Sequence, residues 1–455
     1  MVAGAAPRVV IAAPASGSGK TTVATGLMAA LRARGHRVAP FKVGPDYIDP
    51  GYHSLAAGRP GRNLDPNLVG EQRVRPLFGH GARGADIAVV EGVMGLFDGR
   101  LETGFGSTAH VAALLDAPVL LVVDARGQSS SIAALLHGFR SFRPGVRLVG
   151  VVLNQVGSDR HEQVLRSACA EVALPVLGAL RRAGAVDVPS RHLGLVPAAE
   201  HGAAAVGAVA AMAELVASSV DLAAVVQLAA SAPPLDGPAW DPAAEVARGP
   251  EALIAVAGGP AFTFGYAEHV ELLEAAGASV AVVDPVRDAR LPPGTAGIVL
   301  PGGFPEQHAA ALSANAPLRA ALAAAARAGV PVHAECGGLL YLSATLDGHP
   351  MCGVLPADAV MTPRLVLGYR DAVATADSPL HRVGARVTGH EFHRTRTEPA
   401  HGERPAWTWR GPDGAVVREG YATPRLHASY LHTHPAGDPD AVAQFVAACR
   451  SGVPG

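Results

Sequence analysis

The chain has 455 residues, 49% of them hydrophobic and 17% charged, with a formal net charge of −2 and a pI near 6.8. That length exceeds one ordinary core and predicts two or three domains. The apolar fraction excludes intrinsic disorder, and the near-neutral balance excludes the basic field that nucleic-acid or anionic-membrane binding needs. The first residues, Met1-Val2-Ala3-Gly4, lack the basic region and long apolar stretch of a signal peptide, and no apolar run reaches membrane-spanning length. A cytoplasmic protein with neither nucleic-acid nor membrane partner is expected. Cys169, Cys336, Cys352 and Cys449 are scattered without CxxC spacing, which argues against a disulfide framework or zinc knuckle.

The first half alternates short β-branched runs with helical periodicity. Runs at Val9–Ala12, Ile87–Val90, Val119–Val123 and Leu148–Leu153 predict a parallel sheet covered on both faces, with a helix over about Thr22–Arg34. Between the first strand and that helix lies Ser16-Gly17-Ser18-Gly19-Lys20-Thr21-Thr22. In a P-loop, backbone N–H groups turn inward around phosphate oxygens, a lysine reaches the β- and γ-phosphates, and a hydroxyl binds Mg²⁺. Gly17 and Gly19 permit the tight approach, Lys20 supplies the charge and Thr21 the hydroxyl, although Pro14 stands where the usual pattern begins with glycine. ATP with Mg²⁺ is therefore expected. Lys42-Val43-Gly44-Pro45-Asp46-Tyr47-Ile48-Asp49-Pro50 and the following His53, Arg59 and Arg62 mix turn formers with charge, as in a ligand-facing loop where Arg and His could grip carboxylates. Glu91 ends a strand facing the ligand crevice, a place for Mg²⁺ directly or through water. Asn154 ends another, where its amide could pair with a base edge.

Alternation fades after about Ala199 into an alanine-rich helix, the alanine being read as compositional bias, and then the turn-rich Ser231-Ala232-Pro233-Pro234-Leu235-Asp236-Gly237-Pro238. The domains expected are 1–230 and 251–455, with 231–250 as linker. A second alternating series starts at Leu253–Ala257 and leads to Val330–Ala334, which turns through Glu335-Cys336-Gly337-Gly338. Such an elbow exposes a nucleophile at a helix N-terminus, where the dipole favours thiolate, and Gly337 and Gly338 leave room for a substrate. The strand-end turn at Gly302-Gly303 offers backbone N–H groups for an oxyanion hole. The stretch Leu426–His434 is strand-like, its alternation placing 430, 432 and 434 on one face, so His432 or His434 could activate Cys336. His390-Glu391-Phe392-His393 lacks HExxH spacing, and strand alternation would set its two histidines on opposite faces. A nucleotide loop and a cysteine elbow on one chain point to ATP-driven activation of an acceptor coupled to hydrolysis of a thiol-reactive donor, as in a glutamine-dependent ligase.

Together the phosphate loop, Gly44–Pro50, Glu91–Gly99, Pro301–Glu306, Glu335–Gly338, Gly389–His393 and Ala428–His434 resemble the cobyrinic acid a,c-diamide synthase family over nearly the full length. The resemblance implies two doubly wound α/β domains, a P-loop, dethiobiotin-synthetase-like ATP domain and a class I glutamine amidotransferase domain of flavodoxin-like type. It implies that ATP phosphorylates a corrin side-chain carboxylate and that ammonia from glutamine attacks the acyl phosphate. On that basis Lys20, Thr21 and Glu91 would serve ATP and Mg²⁺, Asp46 and Asp98 would position or activate the substrate, and Cys336 would form the glutamyl thioester. Class I relatives often end in His-Pro-Glu, whereas His434 stands where that glutamate would be. His432 is thus expected as base, with His434 as alternate or orienting residue. The partners implied are a corrin polycarboxylate and glutamine, and a homodimer is an open option. The GC-rich composition favours metal-free hydrogenobyrinate over cobalt-containing cobyrinate; cobyric acid synthase, nickel-sirohydrochlorin amidation, a P-loop ATPase switch and a standalone cysteine hydrolase are the rival readings.

Overall fold

β-Branched runs bounded by glycine turns become parallel strands, as their pattern predicts. The computed structural model describes residues 6–100, 103–182, 190–191 and 194–451, and the chain forms two units, Met1–Trp240 and Asp241–Gly455. In the first, β1 (Arg8–Ala12), β2 (Val38–Val43), β3 (Arg62–Leu64), β4 (Ile87–Glu91), β5 (Val119–Asp124), β6 (Leu148–Val156) and β7 (Val176–Arg181) lie in the order β3-β2-β4-β1-β5-β6-β7, and every pairing is parallel. β1, β2 and β4 are buried along their whole lengths, as a sheet covered on both faces requires. Because β1 lies between β4 and β5, the chain leaves it in both directions, and its carboxyl end opens on a crevice. β8 (Ser190–Arg191) and β9 (Gly194–Leu195) form a separate antiparallel pair.

Helix α1 (Lys20–Ala33) packs on the alanine-rich helix Ala203–Ser219. A Cβ on Gly26 would fall 2.4 Å from Met212 O, so small residues set how closely these helices approach. The turn-rich stretch after it lies along the first unit: Arg8 Nη2 donates to Pro233 O at 2.6 Å, and Trp240 N donates to Pro76 O at 2.9 Å.

In the second unit, β10 (Ala252–Ala257), β11 (Ala278–Val283), β12 (Thr295–Leu300), β13 (Val332–Glu335), β20 (Tyr421–Thr423) and β21 (Leu426–Ser429) form a sheet ordered β11-β10-β12-β13-β21-β20, parallel except for the β20 edge. Between β13 and β20 the chain builds a further, largely antiparallel sheet from β14 (Thr345–Leu346), β15 (His349–Pro350), β16 (Asp358–Ala374), β17 (Arg386–Glu398), β18 (Trp407–Arg410) and β19 (Val416–Glu419). The flavodoxin-like expectation did not include this sheet. Its long strands β16 and β17 are only partly buried and lack the dense apolar runs that mark the parallel strands. No described helix is long and apolar enough to cross a membrane.

Candidate active sites

The first site is built on the end of β1. Gly17 and Gly19 have φ of +78° and +96°, conformations that L side chains rarely adopt. A Cβ on Gly19 would also fall 2.2 Å from Asn154 Nδ2. Ser18 Oγ donates to Ala15 O at 2.9 Å, and Lys20 Nζ donates to Met94 O at 2.6 Å. Burial, then neighbouring Lys42, lowers the Lys20 ammonium below its ordinary range. Asn154 Nδ2 donates to Ser18 O at 3.0 Å while Oδ1 accepts from Gln155 N, so this amide buttresses the loop instead of presenting itself to a base edge. Ser16 and Gly17 are exposed, and Thr22 is half-buried on the first turn of α1.

Beneath the loop, Thr21 Oγ1 lies 2.6 Å from Glu91 Oε1 and 3.3 Å from Asp49 Oδ2. Lys42 Nζ reaches Asp49 Oδ2 at 2.5 Å and Glu91 Oε1 at 3.0 Å. Burial alone would lower the Lys42 ammonium and raise the Glu91 carboxyl. Their mutual attraction, with the carboxylates Asp49 and Asp46 on Lys42 and the His53 hydrogen bond on Glu91, reverses both and keeps the two groups charged. Asp49 moves the other way: burial and Asp46 raise its carboxyl well above the ordinary range despite Lys42. Lys42 and Asp49 both lie in the stretch read from sequence as a ligand-facing loop, but neither was given a role there.

Several expected substrate contacts prove internal. His53 is fully buried with Nε2 2.6 Å from Glu91 Oε2, so it supports that carboxylate instead of gripping one from a ligand. Arg59 donates to Gly81 O, the last carbonyl of helix Glu71–Gly81, and to Arg83 O just beyond it. Arg62 is half-buried on β3, its Cδ beside Gly81, and Tyr47 is buried. Asp46 Oδ1 accepts from Ile48 N and Asp49 N, fixing the start of helix α2 (Asp49–Ala57). Asp98 is exposed and closes the Met94–Gly99 turn by accepting from Gly95 N at 3.0 Å.

The second site is built on the end of β13. Cys336 has φ +45° and ψ −98°, a strained non-glycine conformation at the strand-to-helix turn. Its N–H donates to Ser429 O at 2.7 Å, and helix Gly337–Leu342 follows directly. A Cβ on Gly337 would fall 2.9 Å from Gly303 N, and one on Gly302 would fall 2.4 Å from His432 Cε1. Cys336, Gly337, Gly302, Gly303 and His432 therefore converge, with Cys336 Sγ 4.0 Å from Phe392 O. The thiolate expectation fails in this state: burial first, then the Glu306 charge, push the thiol far above its ordinary range, against one backbone hydrogen bond from Gly337. A helix of one and a half turns does not offset that loss of solvent.

β21 ends at Ser429, so the strand alternation expected through residue 434 stops short. His432 is instead held by antiparallel backbone bonds to His390, N to O at 2.9 Å and 2.8 Å. His434 Nδ1 accepts from Ala436 N at 3.2 Å, and its ring packs on Tyr266 with centroids 4.1 Å apart. It caps a turn. Glu335, named in the elbow but given no role from sequence, has Oε2 3.5 Å from His432 Nδ1 and Oε1 3.1 Å from Thr433 Oγ1. His393 stacks on Tyr430 with centroids 3.8 Å apart, and Glu391 pairs with Arg370 at 2.6 Å.

Residues 9–196 match the family model of the CobQ/CobB/MinD/ParA nucleotide binding domain, and residues 253–439 match that of the CobB/CobQ-like glutamine amidotransferase domain. The chain is 60% identical over 453 residues to hydrogenobyrinate a,c-diamide synthase of Mycobacterium tuberculosis (strain ATCC 25618 / H37Rv), covering 97% of this chain and 98% of that protein. It is 57% identical over 479 residues to the Streptomyces coelicolor protein of the same name, covering 98% of each. It is 42% identical over 452 residues to cobyrinate a,c-diamide synthase of a Synechococcus strain, covering 97% of this chain and 98% of that one. A nucleotide loop, a cysteine elbow and full-length similarity of this kind agree: the chain belongs to the a,c-diamide synthase family of glutamine amidotransferases.

Proposed function

We propose that this chain amidates the a and c side-chain carboxylates of hydrogenobyrinic acid, with ATP activating each carboxylate and glutamine supplying nitrogen. The carrying observation is that relatives named for hydrogenobyrinate are 56–60% identical to it, whereas those named for cobyrinate are 41–44% identical. A phosphate loop without a nucleophilic elbow would suit an ATPase switch, and an elbow without the loop a simple hydrolase; this chain carries both.

In the first unit, the loop N–H groups and Lys20 receive the ATP phosphates, and Asn154 holds the loop in shape. Thr21, Asp49 and Glu91 present hard oxygen donors that suit Mg²⁺, with Lys42 bracing the two carboxylates. When bound, Mg²⁺ neutralises charge on the transferring phosphoryl group. Among the described residues no group of three or more His, Cys, Asp or Glu side chains is arranged to hold a metal; a Mg²⁺ taking most ligands from phosphate and water needs no such group. Phosphorylation gives the carboxylate a leaving group, which ammonia displaces. Asp98, exposed and closing the Met94–Gly99 turn, would help position the acceptor.

In the second unit, His432 takes the thiol proton as Cys336 attacks the glutamine carboxamide, and the N–H groups of Gly303 and Gly337 receive the oxyanion. His432 returns the proton to departing ammonia, and water then hydrolyses the thioester. Supplying ammonia from a sheltered site avoids dependence on free ammonia, which is mostly protonated at neutral pH. Reliance on ATP and glutamine suits a cytoplasmic setting. The test offers hydrogenobyrinic and cobyrinic acids in competition with ATP, Mg²⁺ and glutamine, and reads products by mass spectrometry. Double amidation favouring the metal-free ring is expected; preference for the cobalt form would overturn the substrate assignment.

A further inference from the structure

We infer that Glu335, the residue immediately before the nucleophile, is the positioning carboxylate of the glutaminase: it holds His432 through Nδ1 and leaves Nε2 to exchange the Cys336 proton. This rests on the glutaminase reading of the second unit. β13 places His333 and Glu335 on one face, and its parallel register sets Glu335 opposite Ser429, close to the segment that carries His432. The two carboxylate oxygens divide their partners. Oε1 accepts from Thr433 N at 3.2 Å and Thr433 Oγ1 at 3.1 Å, and His333 Nε2 lies 3.4 Å away. Oε2 faces His432 Nδ1 at 3.5 Å, a spacing of the kind that tightens when substrate binds.

His432 is fully buried, and Glu335 keeps 13% side-chain exposure. Burial would raise the Glu335 carboxyl, but the imidazoles of His333, 3.4 Å away, and His432, 3.5 Å away, hold it well below the ordinary range, so it stays ionised. The position two residues after His432 cannot do this work, because His434 Nδ1 is occupied by Ala436 N. Anchoring of Oε1 by Thr433 leaves Oε2 to His432 and holds the carboxylate's charge in one place. The proton balance is closed: Cys336 Sγ–H passes its proton to His432 Nε2, the thiolate adds to the carboxamide carbon, and the same proton leaves with ammonia. Glu335 carries no proton at any step. Its negative charge stabilises the imidazolium that forms when Cys336 gives up its proton, while the same charge, with Glu306 and Glu391, acts against the thiolate directly. The other ionisable groups around this pair are Cys336 and the imidazoles of His269, His381 and His427 on the Glu335 side, and His390 on the His432 side.

The test uses the full chain and measures glutamine hydrolysis against pH, with ammonia-dependent amidation as a fold control. Glu335→Gln keeps the side-chain shape and removes the charge. We expect kcat for glutamine to fall about 10²-fold with KM nearly constant. The acidic limb of the profile, where His432 becomes protonated and can no longer take the Cys336 proton, should move to lower pH. Glu335→Asp, which keeps the charge with shorter reach, should restore the limb and part of kcat; it also serves if the glutamine variant fails to fold. An unchanged profile and kcat in Glu335→Gln, or a loss that leaves the profile in place and that Asp does not relieve, overturns the inference. Wild-type protein that fails to hydrolyse glutamine overturns it together with the glutaminase reading, whereas active wild type with an indifferent Glu335→Gln overturns the inference alone.

Discussion

Glu419 is buried at 6% exposure beside the chain that leads to His432, and it has two hydrogen bonds: Ser429 Oγ donates to Oε2 at 2.7 Å and Tyr430 N to Oε1 at 2.8 Å. Burial, with some repulsion from Glu391, pushes its carboxyl from 4.5 up to about 8, the two hydrogen bonds notwithstanding. A folded-state value above the unfolded one means that the folded protein binds the extra proton. The stability it contributes is full below pH 4.5, is lost progressively as pH rises, and is gone above about pH 8. The upper bound on that loss is about 5 kcal/mol. Glu419→Gln retains an acceptor for Tyr430 N and cannot ionise, so the variant should lack this slope. Calorimetry at pH 5 and pH 8.5 resolves it: relative to wild type, the transition of the second unit should rise at the higher pH. At roughly 2–4 °C per kcal/mol for a unit of this size, the relative gain reaches at most about 10–20 °C. If wild type and variant keep the same difference in Tm at both pH values, Glu419 does not titrate in this range and the reasoning fails.

Cys336→Ala should abolish glutamine-dependent amidation while sparing the ammonia-dependent reaction; loss of both in folded protein would break the assignment of the two steps to two units. Lys20→Ala should lower amidation from either nitrogen source by about 10²-fold or more in a product assay, since it removes the charge that meets the phosphates. Gly302→Ala places a Cβ 2.4 Å from His432 Cε1, so the imidazole must shift. Glutamine hydrolysis should then fall about 10²-fold while the ammonia-dependent rate holds. Asp49→Asn should raise the Mg²⁺ concentration needed for half-maximal ATP turnover, and an unchanged requirement would remove Asp49 from the metal site.

What could be read from sequence was whatever lies contiguous in the chain. The glycines at 17 and 19 announced a loop that needs left-handed backbone, and the doubled glycine after Cys336 announced an elbow, because local conformation is written in local residues. The antiparallel sheet between β13 and β20 was invisible: its strands carry half-exposed, mixed faces, and pairing such as Tyr369 with His390 joins distant segments. The substrate loop misled for a related reason. His53, Arg59 and Asp46 looked like ligand contacts by type, but Glu91, the carbonyls of Gly81 and Arg83, and the N–H groups opening α2 claim them. The partners of His53 and Arg59 lie 22 to 38 residues away, beyond what spacing can reveal, whereas Asp46 caps the turn just after it.

The two sites also manage charge in opposite ways, and this bears on when each can act. In the first, Lys42, Glu91 and His53 hold one another before any ligand arrives, so the carboxylate is ionised and aimed with little reorganisation left for the bound state. In the second, burial keeps Cys336 protonated while Glu335 is kept ionised, so the negative charge at rest sits on the carboxylate rather than on sulfur. On the proposed mechanism the thiolate forms by transfer to His432, against desolvation and the nearby Glu306. That proposal ties nucleophile activation to how well the imidazole is held, so variants around His432 should change the glutaminase rate more than a change in the thiol alone.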